Sequence, residues 1–287
     1  MPSTVQLVTA YLSRPELLGW DQRLAEGLAS RVWDELHKIG LNPTDYSTRR
    51  LLLHNISAER SIVATVPICL GNSTSPIPIE FLEHEGSRFY NGVHFYSGEE
   101  ILRTDVLSCL KDAFGVLSVL PNIMSLVVFL VRSLHLIQAA EEDCDVSFSE
   151  PRLPFSVFVS VPVKRIPNDS LRVAEGILHE ALHLHLSLIE RVVPLVRRTE
   201  FTYFSPWRNE HRTAQGVLHA IYVFRFIQCF WRDIRSMRAC SGELPYIEKR
   251  IIEISNQFNQ ISSFSECPDL TDDGRRFAKR LLRWHTA

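Results

Sequence analysis

Residues 171–191 of the 287-residue chain, LRVAEGILHEALHLHLSLIER, contain the pattern around which we expect the fold to be organised. Polar residues at 168–170 can cap the start of a helix, and no proline interrupts the stretch before Pro194. Apolar residues recur at helical spacing, namely Val173, Ile177, Leu178, Ala181, Leu182, Leu186 and Ile189. The sequence therefore predicts a long helix that lies in the core.

Residues 179–183 of this helix have the pattern HExxH. His179 and His183 are four residues apart, so their imidazoles project from the same face, one turn apart. Two imidazoles in this arrangement can bind one divalent metal ion. Because the surrounding residues are apolar, we expect both histidines to be half-buried, which is costly without a shared ligand. Glu180 lies beside them and is the candidate catalytic residue, which can act as a base or contact the metal ion. His185 points away and is expected to be a packing or surface residue.

A second predicted helix, from about residue 209 to 237, supplies a candidate third ligand. On it Arg212, Gln215 and His219 are expected to share one face. A metal ion bound by two histidines needs at least one more ligand, and we predict His219. The guanidinium groups of Arg208 and Arg212 suit a planar carboxylate, since they offer a bidentate fork of donors. Ordinary surface ion pairs are the alternative role for both arginines.

The remaining sequence predicts a mainly α fold with a small β-sheet, of the α+β class. One apolar stretch, 113–131, has nearly the length of a membrane span, but Pro121 interrupts it, so we predict a core helix over about 122–140. Strand patterns occur within 61–96, with a loop at 71–78 and a hairpin predicted at Asn91-Gly92, and again at 155–161. Further helical patterns occur at 7–53 (with a last helix at 44–54), 98–142, 244–258 and the basic tail.

Composition narrows the class of protein. The net charge of −2 provides no global basic field for nucleic acid. Six widely scattered cysteines without a CxxC pair favour a reducing cytosol, and the first residues lack the pattern of a signal peptide. We therefore expect a cytoplasmic protein that binds neither nucleic acid nor membrane.

We predict a single domain over 1–287, with a helical and hairpin portion at 1–145, a metal-site portion at 146–240 and C-terminal helices at 241–287.

Three stretches together resemble a known family. They are SFSEPRLPFSVFVSVP, EGILHEALHLHLSLIE and YFSPWRNEHRTAQGVLHAIYVF, which occur in this order between residues 147 and 224, about a quarter of the chain. They are similar to the HExxH-motif peptide-modification proteins found with ribosomal natural-product gene clusters. One departure is Arg212-Thr213, where an Arg-Pro pair is expected.

The resemblance implies an iron(II)- and 2-oxoglutarate-dependent hydroxylase that uses O₂ to modify Cβ of an amino-acid residue. It implies that His179, His183 and His219 bind the iron, and that Arg208, Arg212 or both bind a carboxylate of 2-oxoglutarate. The family modifies peptide residues. For this chain a precursor peptide, a carrier-bound residue and a small amino acid all stay open as the substrate. The family fold is not a double-stranded β-helix, and the role of Glu180 stays open.

Two other classes of protein fit the motif. In an HExxH zinc metallopeptidase, Glu180 would activate a zinc-bound water, and Glu200 or Glu210 can supply a carboxylate ligand. The longer HExxHxxGxxH pattern is absent, because Leu186 and Ile189 replace its glycine and histidine. The third class is a binding protein whose histidines are structural, which predicts no stoichiometric metal.

Overall fold

The structure is a computed structural model that describes residues 3–14, 21–38, 62–70, 73–80, 93–138, 145–149, 155–197, 200–238 and 240–283. The helices within these ranges are α1 (Thr4–Ser13), α2 (Gln22–Lys38), α3 (Gly98–Arg103), α4 (Val106–Ser118), α5 (Pro121–Leu130), α6 (Asp169–Glu190), α7 (Ala214–Met237), α8 (Leu244–Asn259) and α9 (Asp272–Arg283). The strands are β1 (Ile62–Leu70), β2 (Ser73–Glu80), β3 (His94–Phe95), β4 (Ser133–Gln138), β5 (Ser147–Ser149), β6 (Ser156–Ser160), β7 (Thr202–Ser205) and β8 (Glu210–Thr213). Helices predominate, which confirms a mainly α fold with a small β component.

The chain divides into two compact units. We call residues 29–184 the sheet unit, and residues 1–28 together with 185–287 the helical unit. The division falls within α2 and α6, so each unit includes part of both helices. The expectation of a single domain stays a prediction.

A mixed six-stranded sheet organises the sheet unit. Its order is β1-β2-β4-β6-β5, with β3 beside β4. The central pairs β2–β4 and β4–β6 are parallel, whereas β1–β2, β3–β4 and β5–β6 are antiparallel. All residues of β6 are buried. In β4, all residues except Gln138 are buried. Both faces of these two strands are therefore covered, as is usual for parallel strands.

Local sequence signals explain where the helices of the sheet unit begin. Ser97 and Glu100 form a capping box at the start of α3, since each side chain accepts from the other's backbone N–H. Pro121 begins α5, where its missing N–H costs no hydrogen bond. Asp169 begins α6 and accepts hydrogen bonds from the backbone N–H of Ile166 and from the guanidinium of Arg165.

Helix α7 is the buried centre of the helical unit, beside α8 and α9. Arg225 on α7 is fully buried, donates to the carbonyl oxygen of Leu281 at 2.8 Å and lies 3.7 Å from the centre of the Phe258 ring. Its guanidinium also donates to the side-chain oxygen of Gln228. Hydrogen bonds and the aromatic face offset the cost of burying this charge.

His185 is a buried packing residue of the helical unit, in agreement with the interpretation from sequence. Its Nδ1 lies 2.6 Å from the hydroxyl oxygen of Tyr222, and its ring contacts Tyr11 edge to face. Burial lowers the pKa of His185 from 6.5 to about 4, because the charged imidazolium loses hydration. The folded state thus favours neutral His185 more strongly than the unfolded state does.

Folding stability is therefore expected to depend on pH through His185. Its contribution is fully present above pH 6.5 and is lost as the pH falls towards 4, because protons bind the unfolded state first. The shift corresponds to roughly 3 kcal/mol. Denaturant unfolding of the wild type and of His185→Gln, which keeps a polar partner for Tyr222, measures this difference. Equal pH dependence in the two proteins would refute it.

The predicted helix over 122–140 is wrong in its second half. Helix α5 ends at Leu130, and β4 follows at Ser133–Gln138. Helices and strands are told apart in a sequence by the spacing of their apolar residues. In a stretch that is mostly apolar this spacing is lost, so a buried helix and a buried parallel strand look alike. The loop predicted at 71–78 also differs, because β2 begins at Ser73.

The helix predicted to start near residue 209 starts at Ala214 instead. Asn209 has a left-handed φ of 53° in the turn of a β7–β8 hairpin, and Thr213 caps α7 by accepting from the N–H of Gly216. Arg212 therefore lies on β8, so it does not share a helical face with His219.

The other predicted segments have mixed outcomes. Strand β6 lies within the predicted 155–161, and α8 agrees with the predicted 244–258 to within one residue. In the part of the chain that is described, no helix is both long and apolar enough to cross a membrane. The predicted hairpin at Asn91-Gly92 and the predicted helix at 44–54 lie outside the described residues.

Candidate metal centre

Helix α6 brings the two histidines of the HExxH motif together, as the spacing predicts. The Nε2 atoms of His179 and His183 are 3.1 Å apart, and their ring centres are 4.7 Å apart. Both rings are half-buried, and the side chain of His179 is 22% exposed. The pair thus lies at the edge of the core, within reach of solvent.

The separation of the two nitrogens fits a shared divalent ion. Nitrogens that each lie about 2.1 Å from one ion, at octahedral to tetrahedral angles, are roughly 3.0 to 3.4 Å apart. Without an ion, one Nε2 has to donate a proton and the other has to accept it, because like tautomers repel. The two Nε2 atoms can therefore share either a metal ion or a proton.

Glu180 lies beside this pair and is held by the sheet. Its side chain is 4% exposed, and its Oε1 is 3.9 Å from the Nε2 of His179. The hydroxyl of Ser147, on the edge strand β5, donates to the same oxygen at 2.8 Å. No role was predicted for Ser147, although it begins the first of the three family-like stretches.

The close approach of α6 to the sheet explains this contact. A Cβ added at Gly176 would lie 3.1 Å from Cγ2 of Val159 and 3.8 Å from Cβ of Ser147. An added Cβ would require the Val159 side chain to shift slightly, so glycine lets the helix backbone lie this near β5 and β6 without such a shift. The fold of the sheet unit therefore places the carboxylate of Glu180 near the histidine pair.

His219 belongs to the helical unit, where Glu190 is its partner. The Nε2 of His219 lies 2.8 Å from Oε2 of Glu190, and the amide of Gln215 donates to the same oxygen at 2.9 Å. Gln215 and His219 are one turn apart on α7, so their shared partner confirms that these two residues lie on one face. Glu190 was not predicted as a site residue, although its position seven residues after His183, two turns along α6, was an available signal.

The two predicted arginines also belong to the helical unit, and both are exposed. Arg208 lies in the turn between β7 and β8. Arg212 on β8 is 43% exposed and lies 3.7 Å from a carboxylate oxygen of Glu210. The contact of Arg212 with Glu210 is therefore a surface ion pair, which the sequence analysis gave as the alternative to binding a carboxylate of 2-oxoglutarate. Exposed pairs of this kind contribute little to stability, so this one is readily exchanged for another carboxylate.

Among the residues that the structure describes, no group of three or more His, Cys, Asp and Glu side chains is arranged to hold a metal ion. The sheet unit contains His179, Glu180 and His183, and the helical unit contains His219, Arg208 and Arg212. The assignment of His219 as third ligand therefore stays a prediction from sequence. Glu200 and Glu210, the carboxylates proposed for a zinc site, are exposed residues of the helical unit.

No protein-family model matches the chain, and a search of curated proteins found no match. The family resemblance consequently depends on the three quoted stretches alone.

Proposed function

We propose that this chain is an iron(II)- and 2-oxoglutarate-dependent oxygenase. Its reaction would hydroxylate an unactivated carbon, Cβ of an amino-acid residue, in a peptide, carrier-bound or small amino-acid substrate in the cytosol. The observation that carries the proposal is the pair of Nε2 atoms of His179 and His183, 3.1 Å apart at the edge of the core. The HExxH, PWR and GVLH stretches, in family order, favour this class of enzyme over others.

Each proposed residue has a defined task. His179 and His183, with His219 as the third protein ligand, would hold the iron and leave positions for small ligands. Bound iron(II) and 2-oxoglutarate supply, with O₂, the oxidising power needed to attack a C–H bond. The guanidinium groups of Arg208 and Arg212 bind a carboxylate and so orient the cosubstrate. Ser147 fixes the carboxyl group of Glu180 through its hydroxyl, which keeps a polar group beside His179.

Removing the guanidinium of Arg208 or Arg212 is expected to weaken the use of 2-oxoglutarate. We predict that Arg208→Ala, Arg212→Ala or both raise the apparent KM for 2-oxoglutarate about tenfold, which corresponds to roughly 1.4 kcal/mol. Arg276→Ala, at an exposed arginine on α9, is the matched control and leaves KM unchanged. An unaltered KM in both test variants would refute the carboxylate-binding role.

The position of Glu180 also favours a second candidate function, that of a zinc metallopeptidase. A carboxylate 3.9 Å from a ligating histidine nitrogen is near enough to activate a metal-bound water. In that enzyme Glu180 is the general base, so Glu180→Gln abolishes peptide hydrolysis while zinc stays bound. An oxygenase has no required base at this position and retains consumption of 2-oxoglutarate in the same variant.

Metal substitution separates the two candidates. Apoprotein would be loaded anaerobically with iron(II) or with zinc, and then supplied with 2-oxoglutarate and O₂ or with a peptide library. The oxygenase consumes 2-oxoglutarate only in the iron form. Peptide cleavage in the zinc form, with no consumption of 2-oxoglutarate in the iron form, would overturn the proposal in favour of the peptidase.

A further inference from the structure

We infer that the outer edge of β5 binds the substrate, and that the substrate is a segment of peptide that adds to the sheet as a further strand. The inference deepens the proposed function and rests on it, because it places the reacting residue beside His179 and His183. It selects a peptide from the three kinds of substrate that stay open. All the residues concerned belong to the sheet unit.

Strand β5 pairs with a strand on one side only, among the residues that the structure describes. It is the last strand in the order of the six-stranded sheet, next to β6. Each residue of β5 is half-buried, so the strand is within reach of solvent. The edge of a sheet presents N–H and C=O groups that can pair with an extended chain, and many peptides are bound in this way.

The pairing of β5 with β6 determines which of its backbone groups point outwards. The N–H of Ser160 donates to the carbonyl oxygen of Val146 at 2.8 Å, and the N–H of Val146 donates to Oγ of Ser160 at 2.9 Å. Along an antiparallel strand, the residues whose backbone groups point at the partner alternate with those whose groups point away. Since Val146 points at β6, the N–H and C=O groups of Ser147 and Ser149 point to the outer edge.

A half-buried stripe of helix α6 runs beside this edge. All other residues from 171 to 183 are buried, and the stripe consists of Arg172, Gly176, His179 and His183. The guanidinium of Arg172 lies 3.0 Å from the carboxylate of Asp145, shortly before β5. A Cβ added at Gly176 would lie 3.8 Å from Cβ of Ser147. The stripe therefore follows β5, and the histidine pair comes next along it.

A strand added at this edge would bring alternate side chains to the histidine pair. It would lie about 4.8 Å from β5, with side chains that alternate between the two faces of the sheet. Ser147 marks the face towards α6, because its hydroxyl reaches Glu180, whereas its neighbour Phe148 stacks on Phe158. A substrate residue on the α6 face would therefore present Cβ to the side of the helix that carries the pair.

The test uses the full chain and a peptide that the wild-type protein enriches from a random library of displayed peptides. Each backbone amide of that peptide is N-methylated in turn, and the Kd is measured. Methylation is expected to weaken binding about tenfold or more at every second residue of the paired segment, because only alternate N–H groups of an added strand point at β5. Loss of affinity without this period of two would overturn the inference.

Substitution of Ser149 tests the same edge from the side of the protein. Ser149→Pro removes an N–H that points outwards and keeps the pairing with β6, so the Kd for the peptide is expected to rise about tenfold. Ser149→Ala is the matched control, because it removes the hydroxyl and keeps the N–H; its Kd is expected to change less than about threefold. Equal affinity of the two variants would overturn the inference. Should Ser149→Pro not fold, the methylation pattern decides alone, since it uses the wild-type protein.

The outcomes separate this inference from the proposed function. The period of two, in a chain that forms no succinate with iron(II), would leave the peptide-binding edge and remove the oxygenase. Succinate formation by a chain that enriches no peptide would overturn the inference and leave the oxygenase, and absence of both would overturn both. A wild-type dimer that Ser149→Pro dissociates would assign the edge to a second copy of the chain, which also overturns the inference.

Discussion

The His183→Ala variant is expected to purify without the stoichiometric metal ion that we propose for the wild-type chain. The Nε2 of His183 lies 3.1 Å from that of His179, and removal of one imidazole leaves a single nitrogen at this position. Loss of a direct ligand is expected to weaken metal affinity by more than about a hundredfold, beyond the range for residues that only support a ligand. Elemental analysis of the purified protein measures the effect.

Two comparisons make this result specific. His37→Ala changes an exposed histidine in the last turn of α2 and is expected to retain the full metal content. His183 is half-buried on a long helix, so its replacement by alanine, a strong helix former, is expected to leave the apoprotein folded. Full metal content in folded His183→Ala would contradict the assignment of the pair.

Gly274→Ala is expected to destabilise the helical unit strongly, although it adds only one methyl group. A Cβ at this position would lie 1.9 Å from the carbonyl oxygen of Leu195, which is far inside van der Waals contact. The neighbouring backbone cannot move away easily, because that oxygen accepts from the N–H of Thr271 at 3.0 Å. Thr271 also caps α9 by accepting from the N–H of Gly274 at 3.0 Å. We expect the free energy of unfolding to fall by about 4 kcal/mol or more.

Gly115→Ala provides the matched control for this substitution. Gly115 lies within α4 and is exposed, and an added Cβ would meet no atom within 4 Å. The same chemical change there is expected to stabilise the protein by roughly 0.5 to 1 kcal/mol, because alanine favours the helix. Thermal or denaturant unfolding of both variants measures the contrast. Equal stability of the two proteins would show that the backbone at Leu195 yields without cost.

Much of the fold was predictable where the sequence pattern has a single interpretation. The amphipathic spacing from Val173 to Ile189 predicted α6, and the β-branched stretch between two prolines predicted β6. The pattern failed where more than one structure has the same sequence signature. Residues 122–138 are mostly apolar and comprise both a buried helix and a buried strand, whose side chains face the core alike.

The candidate site was predictable only as far as spacing within one helix extends. The separation of four residues placed His179 and His183 on one face, and the structure brings their nitrogens together. The contacts of Ser147 and Glu190 depend on which residues the fold brings to Glu180 and His219. Spacing along α6 indicates the helical face of Glu190, but it does not identify the partner of either residue. The prediction that Arg212 lies on a helix is wrong, because Thr213 caps the start of α7 and Arg212 lies before it, on the strand β8.

The proposed oxygenase is tested most directly by the formation of succinate from 2-oxoglutarate. Protein loaded anaerobically with iron(II) would be exposed to O₂ with 2-oxoglutarate, beside the His179→Ala variant treated identically. The proposal predicts succinate that requires iron, O₂ and His179, because these enzymes turn over slowly even without their main substrate. Absence of succinate from the wild type, with tightly bound zinc in the purified protein, would contradict it and make Glu180 the base of a hydrolase.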